Sequence, residues 1–336
     1  MARKLRAAVV GLGWAGGVHA RTLDALDGVE LVALADPDPR RRTRFPGHCT
    51  VPRLRDLLLM DLDYCVVAAP TAAHEHLALQ LAAAGIPALV EKPLASTAAA
   101  ARRIEDAFHA VGVPAAVGHT ERHTAPVAEL ARLLHAGEFG ALWHIDARRQ
   151  GPYSGRIRDV GVTLDLAVHD LDLGAWLAEA PIESVSADTV RVAGPHEDLV
   201  TATARLSGGP LLSVHADWIS SYKARTVQVR TEAGLLISDA IAGTLSLHAN
   251  SAPVDGQGGF RGVSSGPSIA LPVAERPAPF TVQHALLRDV LLGHGDGGLV
   301  TLADGAAAVA AAEAVLAAAA TGRTTPVAAR ALAAAA

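Results

Sequence analysis

Short apolar runs alternate with helix-patterned stretches through the first third of the chain. We expect strands at residues 5–10, 30–35, 63–68, 86–90 and 113–118, and helices at 14–26, 72–84 and 97–110. Strands that are apolar without interruption and separated by helices indicate a parallel sheet covered by helices on both faces. The stretch 40–55 has room for only one short strand near Thr50 and a short helix from Arg53.

The pattern changes after about residue 120, where strand-like segments begin to follow one another directly. Helices are expected at 125–136, 162–177, 280–292 and 302–320, and strands at 142–149, 185–192, 199–206, 210–218, 226–231 and 235–238. Turn signals such as Ser207-Gly208-Gly209 and Ala233-Gly234 separate several of these strands, which is typical of an antiparallel sheet. The stretch 255–266 is rich in Gly and Ser and is expected to be a mobile loop.

Length and composition narrow the class of protein. The 336 residues suffice for about two domains, and the formal net charge of −5 disfavours a general nucleic-acid binder. Two cysteines are too few for a disulfide framework, and His74 and His76 lack the spacing of two ligands on one helix face, so no metal site is expected. We expect neither a membrane span nor a secretory leader, which favours a cytoplasmic protein.

A glycine-rich turn follows the first predicted strand. Residues 11–16 read GLGWAG, a GxGxxG pattern at the start of a predicted helix. In dinucleotide-binding folds the first glycine permits the tight turn, the second lets the backbone approach a pyrophosphate, and the third lets helix and strand pack closely. The helix N-terminus then presents its N–H groups to the phosphates. The expected cofactor contacts here are Gly11, Gly13, Trp14, Ala15 and Gly16; a structural glycine turn is the alternative.

Asp36 ends the second predicted strand, 20 residues after Gly16. A carboxylate at this place can accept hydrogen bonds from the ribose hydroxyls of adenosine, and it repels a 2′-phosphate. Asp36 therefore favours NAD as the cofactor. Arg40, Arg41 and Arg42 follow closely and keep NADP as the alternative.

Two further places carry side chains suited to proton transfer. Lys92 follows the strand predicted at 86–90, at the strand end where ligands bind in open α/β sheets. Asp165 and His169 are four residues apart in a predicted helix and share one face, where the carboxylate can orient the imidazole and raise its basicity. The alternatives are a surface lysine and a buried histidine with one structural hydrogen bond.

Taken together, these segments resemble the Gfo/Idh/MocA oxidoreductase family. The resemblance rests on the glycine loop, Asp36 and the segments 69–95, 117–126 and 159–177, which carry an EKP motif and then a D-x-x-x-H-D motif. It implies an α/β protein with an N-terminal Rossmann NAD-binding domain, here 1–120. A C-terminal α+β domain for substrate binding and oligomerisation, with a large open, mainly antiparallel sheet, would follow over 121–336. It also implies hydride transfer between a nicotinamide and a sugar or cyclitol hydroxyl.

The resemblance assigns roles to single residues. Lys92 matches the family's active-site lysine, and Asp165 and His169 match its Asp/His pair, so these three are the expected catalytic and substrate-contacting residues. Pro70 and Glu91 are expected to flank the nicotinamide ribose. The expected cofactor contacts beyond the glycine loop and Asp36 are Pro70, Thr71, His74, Glu91 and Lys92.

A narrower resemblance, to the UDP-N-acetylglucosamine 3-dehydrogenase branch of the family, covers residues 148–170. Arg148 and Arg156 in this segment are expected substrate contacts, because guanidinium groups bind phosphate through two parallel hydrogen bonds and so suit a diphosphate. Salt bridges between the sheet and the next helix are the alternative for both arginines.

We therefore expect an NAD-dependent dehydrogenase that acts on a ring secondary alcohol, first of all the 3-hydroxyl of UDP-N-acetylglucosamine or a related sugar. Inositol or an aminocyclitol is the alternative substrate, and a non-catalytic NAD-binding sensor is the alternative class of protein. His169 is the expected base on the hydroxyl and Lys92 the donor to the developing alkoxide, roles that the two can exchange. The family's open sheet is often an oligomer surface, so a homodimer or homotetramer is expected.

Overall fold

The computed structural model describes residues 3–155, 159–255, 261–295 and 298–328. The chain divides into two compact units, one of Met1–Thr120 with Pro277–Val309 and one of Glu121–Arg276 with Ala310–Ala336. The expected division assigned all of 121–336 to the second domain and therefore differs from these units in the placement of Pro277–Val309. Local sequence pattern cannot show that a helix late in the chain packs in the first unit, because this placement depends on contacts between residues far apart in sequence.

The secondary structure of the described residues follows the expected order. The strands are β1 (Leu5–Val10), β2 (Val29–Ala35), β3 (Thr50–Val51), β4 (Tyr64–Val67), β5 (Ala88–Val90), β6 (Ala115–Val117), β7 (Leu142–Pro152), β8 (Ile182–Val190), β9 (Leu199–Leu206), β10 (Leu211–Asp217), β11 (Ile219–Thr231), β12 (Gly234–Asp239), β13 (Thr244–Asp255), β14 (Arg261–Leu271) and β15 (Thr325–Pro326). The helices are α1 (Trp14–Ala25), α2 (Pro39–Arg42), α3 (Leu54–Leu57), α4 (Thr71–Ala83), α5 (Ala98–Val111), α6 (Ala125–His135), α7 (Val168–Leu177), α8 (Pro279–Leu291) and α9 (Leu302–Thr321). A 3₁₀ turn covers Thr120–His123, and a π-helical turn covers Thr163–Ala167.

The sheet of the first unit is parallel throughout, with the strand order β3-β2-β1-β4-β5-β6 across its described residues. This is the order of dinucleotide-binding sheets, which reverses between β1 and β4. Ligands bind such sheets at the carboxyl ends of the strands near the reversal. The glycine loop after β1 and the chain after β4 and β5 therefore lie at the expected binding edge.

The core of the first unit lies between this sheet and the helices on its face. Fully buried Leu23 of α1 and Leu287 of α8 belong to the same apolar cluster as Val9 and Leu34 of the strands. Burying a side chain of this size stabilises the fold by about 1.5–3 kcal/mol. The cluster fixes α1, which begins at the glycine loop, against β1.

The second unit is built on a nine-stranded sheet in the order β14-β13-β12-β11-β7-β10-β9-β8-β15. All its described pairs are antiparallel except β7 with β10, which run parallel. Buried and exposed residues alternate along β9, as in a sheet with one covered face. Leu130 of α6 and Leu171 of α7 belong to the core that covers this face, and this packing fixes α7 to the sheet.

The prediction that residues 255–266 form a loop is wrong for the second half of this stretch. Residues from Arg261 belong to β14, which pairs with β13 through Asp255–Arg261, Val254–Gly262 and Pro253–Val263. Residues 256–260 lie outside the described residues. Gly and Ser give no alternation of apolar positions, so pairing with the neighbouring strand rather than local pattern decides this strand.

By length and hydropathy, one helix among the described residues, α9, is long and apolar enough to cross a membrane, and 61% of its apolar window is buried inside the protein. Such burial is typical of a core helix.

Candidate active site

The glycine loop between β1 and α1 is shaped by close backbone contacts. Gly11 has a φ of +92°, and a Cβ at this residue would lie 2.5 Å from the Ala68 carbonyl oxygen. A Cβ on Gly16 would overlap the carbonyl oxygen of Gly11. Apart from its chain neighbours, no atom of the described residues lies within 4 Å of a Cβ placed on Gly13, so they leave space open at this part of the loop. The loop therefore fits a pyrophosphate that approaches the backbone at Gly13 and the N-terminus of α1.

Asp36 follows β2 and fastens the glycine loop to the strand end. Its Oδ2 accepts the N–H of Leu12 at 2.7 Å, and its Oδ1 accepts the N–H of Asp38 at 2.8 Å. The carboxylate is 2% exposed. Arg41 Nη1 also donates to Oδ2, at 3.5 Å. An ionised carboxylate offers about four acceptor sites, so one remains for a ribose hydroxyl.

The other expected cofactor contacts of the first unit lie at the starts of two helices. Trp14 opens α1, is 59% exposed and makes an edge contact with the ring of Phe280, with centroids 6.4 Å apart. Pro70 precedes α4 and Thr71 opens it, at the carboxyl end of β4. Their contacts with a cofactor stay predictions, as does that of Ala15.

His74 holds the backbone and does not lie at the surface of the site. It is 1% exposed, with Nδ1 2.9 Å from the Pro93 carbonyl oxygen and Nε2 2.9 Å from that of Ala69. Burial lowers the pKa of His74, although both hydrogen bonds act to raise it. Both ring nitrogens lie against carbonyl oxygens of the segments after β4 and β5, and a direct contact of His74 with a cofactor stays a prediction.

Glu91 and Lys92 follow β5 directly. Glu91 is 8% exposed; its Oε1 lies 2.8 Å from His19 Nε2, and its Oε2 accepts the N–H of Lys92 at 3.1 Å. Burial raises the pKa of Glu91, but the hydrogen bond from His19 and the charges of His19 and Lys92 lower it more, so the pKa lies below its ordinary value. Lys92 is partly exposed, and its peptide bond to Pro93 is cis. Sequence reasoning missed His19, which is fully buried in α1.

Asp165 and His169 lie on consecutive turns in the second unit. The expected continuous α-helix begins instead with a π-helical turn, Thr163–Ala167, which holds Asp165, and α7 follows with His169 as its second residue. A spacing of four residues is close to one full turn in both a π-helix and an α-helix. The side chains of Asp165 and His169 therefore still share a face. His169 is 8% exposed and Asp165 is partly exposed. Single π turns inside helices are frequent at functional sites.

Glu197 fixes the start of this turn. Sequence reasoning did not single it out. Its Oε1 accepts the N–H of Thr163 at 3.0 Å, and its backbone carbonyl accepts the N–H of Val162 at 3.0 Å. A Cβ on Gly161 would overlap the Glu197 carboxylate, so the chain passes this side chain at close range. A carboxylate on the first N–H groups of a helix is favourable both as a hydrogen-bond acceptor and as a negative charge.

Two buried ion pairs hold α7 on either side of the expected base. Arg149 of β7 binds Asp170 through Nη2 at 2.9 Å, and Glu121 through Nη1 at 2.9 Å. Arg122 binds Asp172 through two parallel hydrogen bonds, one from Nε to Oδ2 at 2.8 Å and one from Nη2 to Oδ1 at 2.6 Å. These pairs could not be predicted from sequence pattern, because the partners are 21 to 50 positions apart.

Arg148 lies on the opposite face of β7 from Arg149, as consecutive strand residues do. It is exposed, and its nearest ionic neighbour is Asp146, with 3.6 Å between Nε and Oδ1. The arginine of this segment that contacts α7 is therefore Arg149. Arg156 lies outside the described residues. Within the described ranges no cluster of His, Cys, Asp and Glu is arranged to hold a metal ion.

Two family models match the chain. The model described as "Oxidoreductase family, NAD-binding Rossmann fold" matches residues 5–119, and the "GFO/IDH/MocA C-terminal domain" matches residues 127–237. The first match covers the glycine loop, Asp36 and Lys92. The second covers Asp165 and His169.

Individual relatives agree with these matches. A UDP-N-acetylglucosamine 3-dehydrogenase of Acidithiobacillus ferrooxidans is 27% identical over 76% of this chain and 81% of its own. A myo-inositol dehydrogenase of Streptomyces leeuwenhoekii is 34% identical over 61% of this chain and 67% of its own. The crystal structure of GenD2 from gentamicin A biosynthesis, in complex with NAD, is 28% identical over 98% of both chains, with a TM-score of 0.81.

Proposed function

The chain belongs to the Gfo/Idh/MocA oxidoreductase family, and on that premise we propose that it transfers hydride between NAD and a ring hydroxyl of a sugar. The first choice of substrate is the 3-hydroxyl of UDP-N-acetylglucosamine or of a close relative. The observation that carries the proposal is the Asp165/His169 pair. Asp165 lies on the π turn that Glu197 caps, and His169 lies on α7, which the Arg149–Asp170 ion pair joins to β7. The same chain carries the glycine loop of an NAD-binding domain.

The first unit would hold the cofactor. Backbone N–H groups near Gly13 and at the start of α1 would take the pyrophosphate, and Asp36 would accept a ribose hydroxyl. When bound, NAD supplies the hydride acceptor of the reaction. Trp14, Pro70 and Thr71 would complete the contacts, and Glu91 would lie beside the nicotinamide ribose.

Three side chains would act on the reacting hydroxyl. His169 accepts its proton, and Asp165 orients the imidazole and stabilises the imidazolium that forms. Lys92 donates a hydrogen bond to the oxygen as negative charge develops there, so that it stabilises the alkoxide. Lys92 and His169 can exchange these roles. The presence of all three argues against a non-catalytic sensor, which needs none of them.

Cyclitols are the second candidate substrate class, favoured by the 34% identity to a myo-inositol dehydrogenase. The similarity to a UDP-N-acetylglucosamine 3-dehydrogenase extends over more of the chain, at 27% identity over 76%. Both substrates offer a secondary ring alcohol to the same catalytic set. They differ in the diphosphate that only the nucleotide sugar carries.

A substrate panel tests the proposal. NADH absorbance would be followed with UDP-N-acetylglucosamine, free N-acetylglucosamine, myo-inositol and an aminocyclitol, each with NAD and with NADP. We expect turnover with NAD and the highest kcat/KM with the nucleotide sugar. Highest kcat/KM with a cyclitol would favour the second candidate. Binding of NAD without turnover of any alcohol would favour the sensor.

Arg156→Ala separates the two substrate classes. Losing one charge-assisted contact to a diphosphate costs about 1.5–3 kcal/mol of binding, which is roughly a ten- to hundredfold rise in KM for the nucleotide sugar. The KM for a cyclitol should barely change. Equal losses on both substrates would point to a structural role for Arg156. The exposed position of Arg148 does not favour it as a second phosphate contact.

We also propose that the enzyme works in the cytoplasm as a homodimer or homotetramer. Only two cysteines and a small net negative charge support a metabolic protein of a reducing compartment. The open face of the nine-stranded sheet supports an oligomer, because it offers an extended surface for a second copy. Light scattering in solution would measure the number of copies.

A further inference from the structure

Three buried side chains of the first unit form a hydrogen-bonded relay, and two of them, His19 and His284, have no part in the proposed chemistry. His284 Nε2 of α8 lies 2.8 Å from His19 Nδ1 of α1, and His19 Nε2 lies 2.8 Å from Glu91 Oε1. The other oxygen of Glu91, Oε2, accepts the backbone N–H of Lys92 at 3.1 Å. The relay of His284, His19 and Glu91 thus ends on the backbone of the predicted catalytic lysine.

The relay is enclosed by packing. Both histidines are fully buried. The ring of Phe280 stands edge-on to His19, with centroids 4.9 Å apart, and the Tyr64 ring lies 6.3 Å from that of His284. On the far side, a Cβ on Gly118 would lie 3.0 Å from Glu91 Oε1, so the chain closes against the carboxylate. The three side chains are therefore packed closely on the sides that these residues cover.

The carboxylate determines where the protons of the relay lie. Glu91 is ionised, since its pKa lies below the ordinary value, and it requires an N–H from His19 Nε2. His284 is neutral, because burial and the charge of His19 lower its pKa well below the ordinary range. His284 then either donates its Nε2–H to His19 Nδ1 or accepts a hydrogen bond from an N–H at that atom. In both arrangements His19 keeps its Nε2 proton toward Glu91.

Without His284, Nδ1 of His19 would be buried without the hydrogen-bond partner that it has at 2.8 Å. The imidazole would then be held by Glu91 alone, so the ring and the carboxylate that it binds would be less well fixed. The third member of a catalytic triad orients a histidine through its second ring nitrogen in the same way.

Building on the proposed function, we propose that His284 is a positioning residue for Lys92. By binding Nδ1 of His19, it fixes the ring whose Nε2 holds one oxygen of Glu91, and the other oxygen stays on the Lys92 N–H. This fixes the backbone from which Lys92 presents its amine to the reacting oxygen.

Substitutions of His284 test the hydrogen bond apart from the packing. His284→Leu keeps an apolar side chain in the cavity without a hydrogen-bonding atom. His284→Gln places an amide nitrogen near the position of Nε2, whereas His284→Asn places it near Nδ1, out of reach of His19. Gln283→Leu is the matched control, since Gln283 is the neighbouring buried polar residue of α8 and neither of its amide atoms has a partner among the described residues.

We expect kcat to fall about tenfold in His284→Leu and His284→Asn, the loss for about one hydrogen bond, with little change in the KM for NAD. His284→Gln should return kcat to within about threefold of wild type, and Gln283→Leu should match wild type. If Gln, Asn and Leu at 284 lose activity alike, or none of them does, the positioning role is wrong. If His284→Leu does not fold, the comparison of kcat between His284→Gln and His284→Asn still tests the positioning role.

A second measurement does not need turnover. Nitrogen-15 NMR of histidine-labelled protein reports which ring nitrogen of His19 is protonated. We expect a protonated Nε2 in wild type, in His284→Gln and in His284→Asn, because Glu91 accepts from it. The Nδ1 signal of His19 should match wild type in His284→Gln and move in His284→Asn, where Nδ1 loses its hydrogen-bond partner. Equal Nδ1 signals in the two variants would overturn the relay. Absence of turnover in wild type with every alcohol would refute the proposed function, while the NMR result would still decide the relay.

Discussion

Arg149 and Asp170 form a buried ion pair that joins β7 to the helix carrying His169. Arg149 Nη2 lies 2.9 Å from Asp170 Oδ1, and Arg149 Nε lies 3.1 Å from the same oxygen. The two residues are 4% and 1% exposed. Glu121 binds the same guanidinium and also Arg225, at 3.1 Å, so two cations and two carboxylates form one network. Since Asp170 is the next residue after His169, the pair sets where the predicted base stands above the sheet.

Removing this cation should destabilise the second unit strongly. Arg149→Met leaves Asp170 buried without a counter-ion, and breaking such a pair from one side costs about 3–5 kcal/mol. Urea denaturation would measure the loss in the free energy of unfolding. Arg148→Met is the matched control, because Arg148 is exposed and should change stability by at most about 0.5 kcal/mol. Similar losses in the two variants would contradict a structural role for the Arg149 pair.

Glu197 should matter through its hydrogen bond rather than its charge alone. Glu197→Ala leaves the Thr163 N–H without its acceptor and should cost about 1 kcal/mol of stability, as other helix caps do. It should also lower kcat, because Asp165 lies in the turn that is capped. Glu197→Gln keeps an acceptor and should stay close to wild type. Glu183→Ala, on the exposed side of β8, is the control, and an equal effect of this variant would refute the capping role.

Asp36 should govern the choice between NAD and NADP. Asp36→Ala removes the charge that repels a 2′-phosphate and leaves Arg41 free to bind one, so the ratio of kcat/KM for NADP to that for NAD should rise by about tenfold or more. The absolute rate with NAD should fall, since Leu12 and Asp38 lose their acceptor. Asp38→Ala changes a neighbouring carboxylate and should leave the ratio within about twofold. A wild-type enzyme that prefers NADP would contradict this role.

Lys92→Ala should separate cofactor binding from chemistry. NAD affinity, measured by titration, should stay near that of wild type, because the expected partners of the cofactor are mainly the glycine loop and Asp36. Turnover should fall by at least about a hundredfold, the scale for groups that stabilise a developing oxyanion or transfer a proton. The exposed Lys4 gives the control variant Lys4→Ala. Retention of more than a tenth of wild-type activity would remove Lys92 from the mechanism.

The parallel sheet could be predicted from the sequence because its strands are buried on both faces. Leu5–Val10 and Tyr64–Val67 are mostly apolar and buried, and the glycines after the first of them follow the spacing of a phosphate-binding turn. The π turn at Thr163–Ala167 could not be predicted, because five residues are too few to distinguish its period from that of an α-helix.

The supporting contacts of the site could not be predicted either, because their partners are far apart in sequence. His19 and His284 are separated by 265 positions, and Glu197 meets Thr163 across 34. One local signal was present for His19. It lies on the same helix as Ala20 and Leu23, which are fully buried, and a histidine on such an apolar face needs a buried partner.

The most direct test of the central claim follows the hydrogen itself. UDP-N-acetylglucosamine carrying deuterium at carbon 3 would be incubated with the protein and NAD, and the NADH formed would be analysed by mass spectrometry. Hydride transfer from that carbon predicts NADH that carries the deuterium, formed more slowly than from the unlabelled sugar. Unlabelled NADH, or no NADH in a sample that binds NAD, would contradict oxidation of this sugar at its 3-hydroxyl.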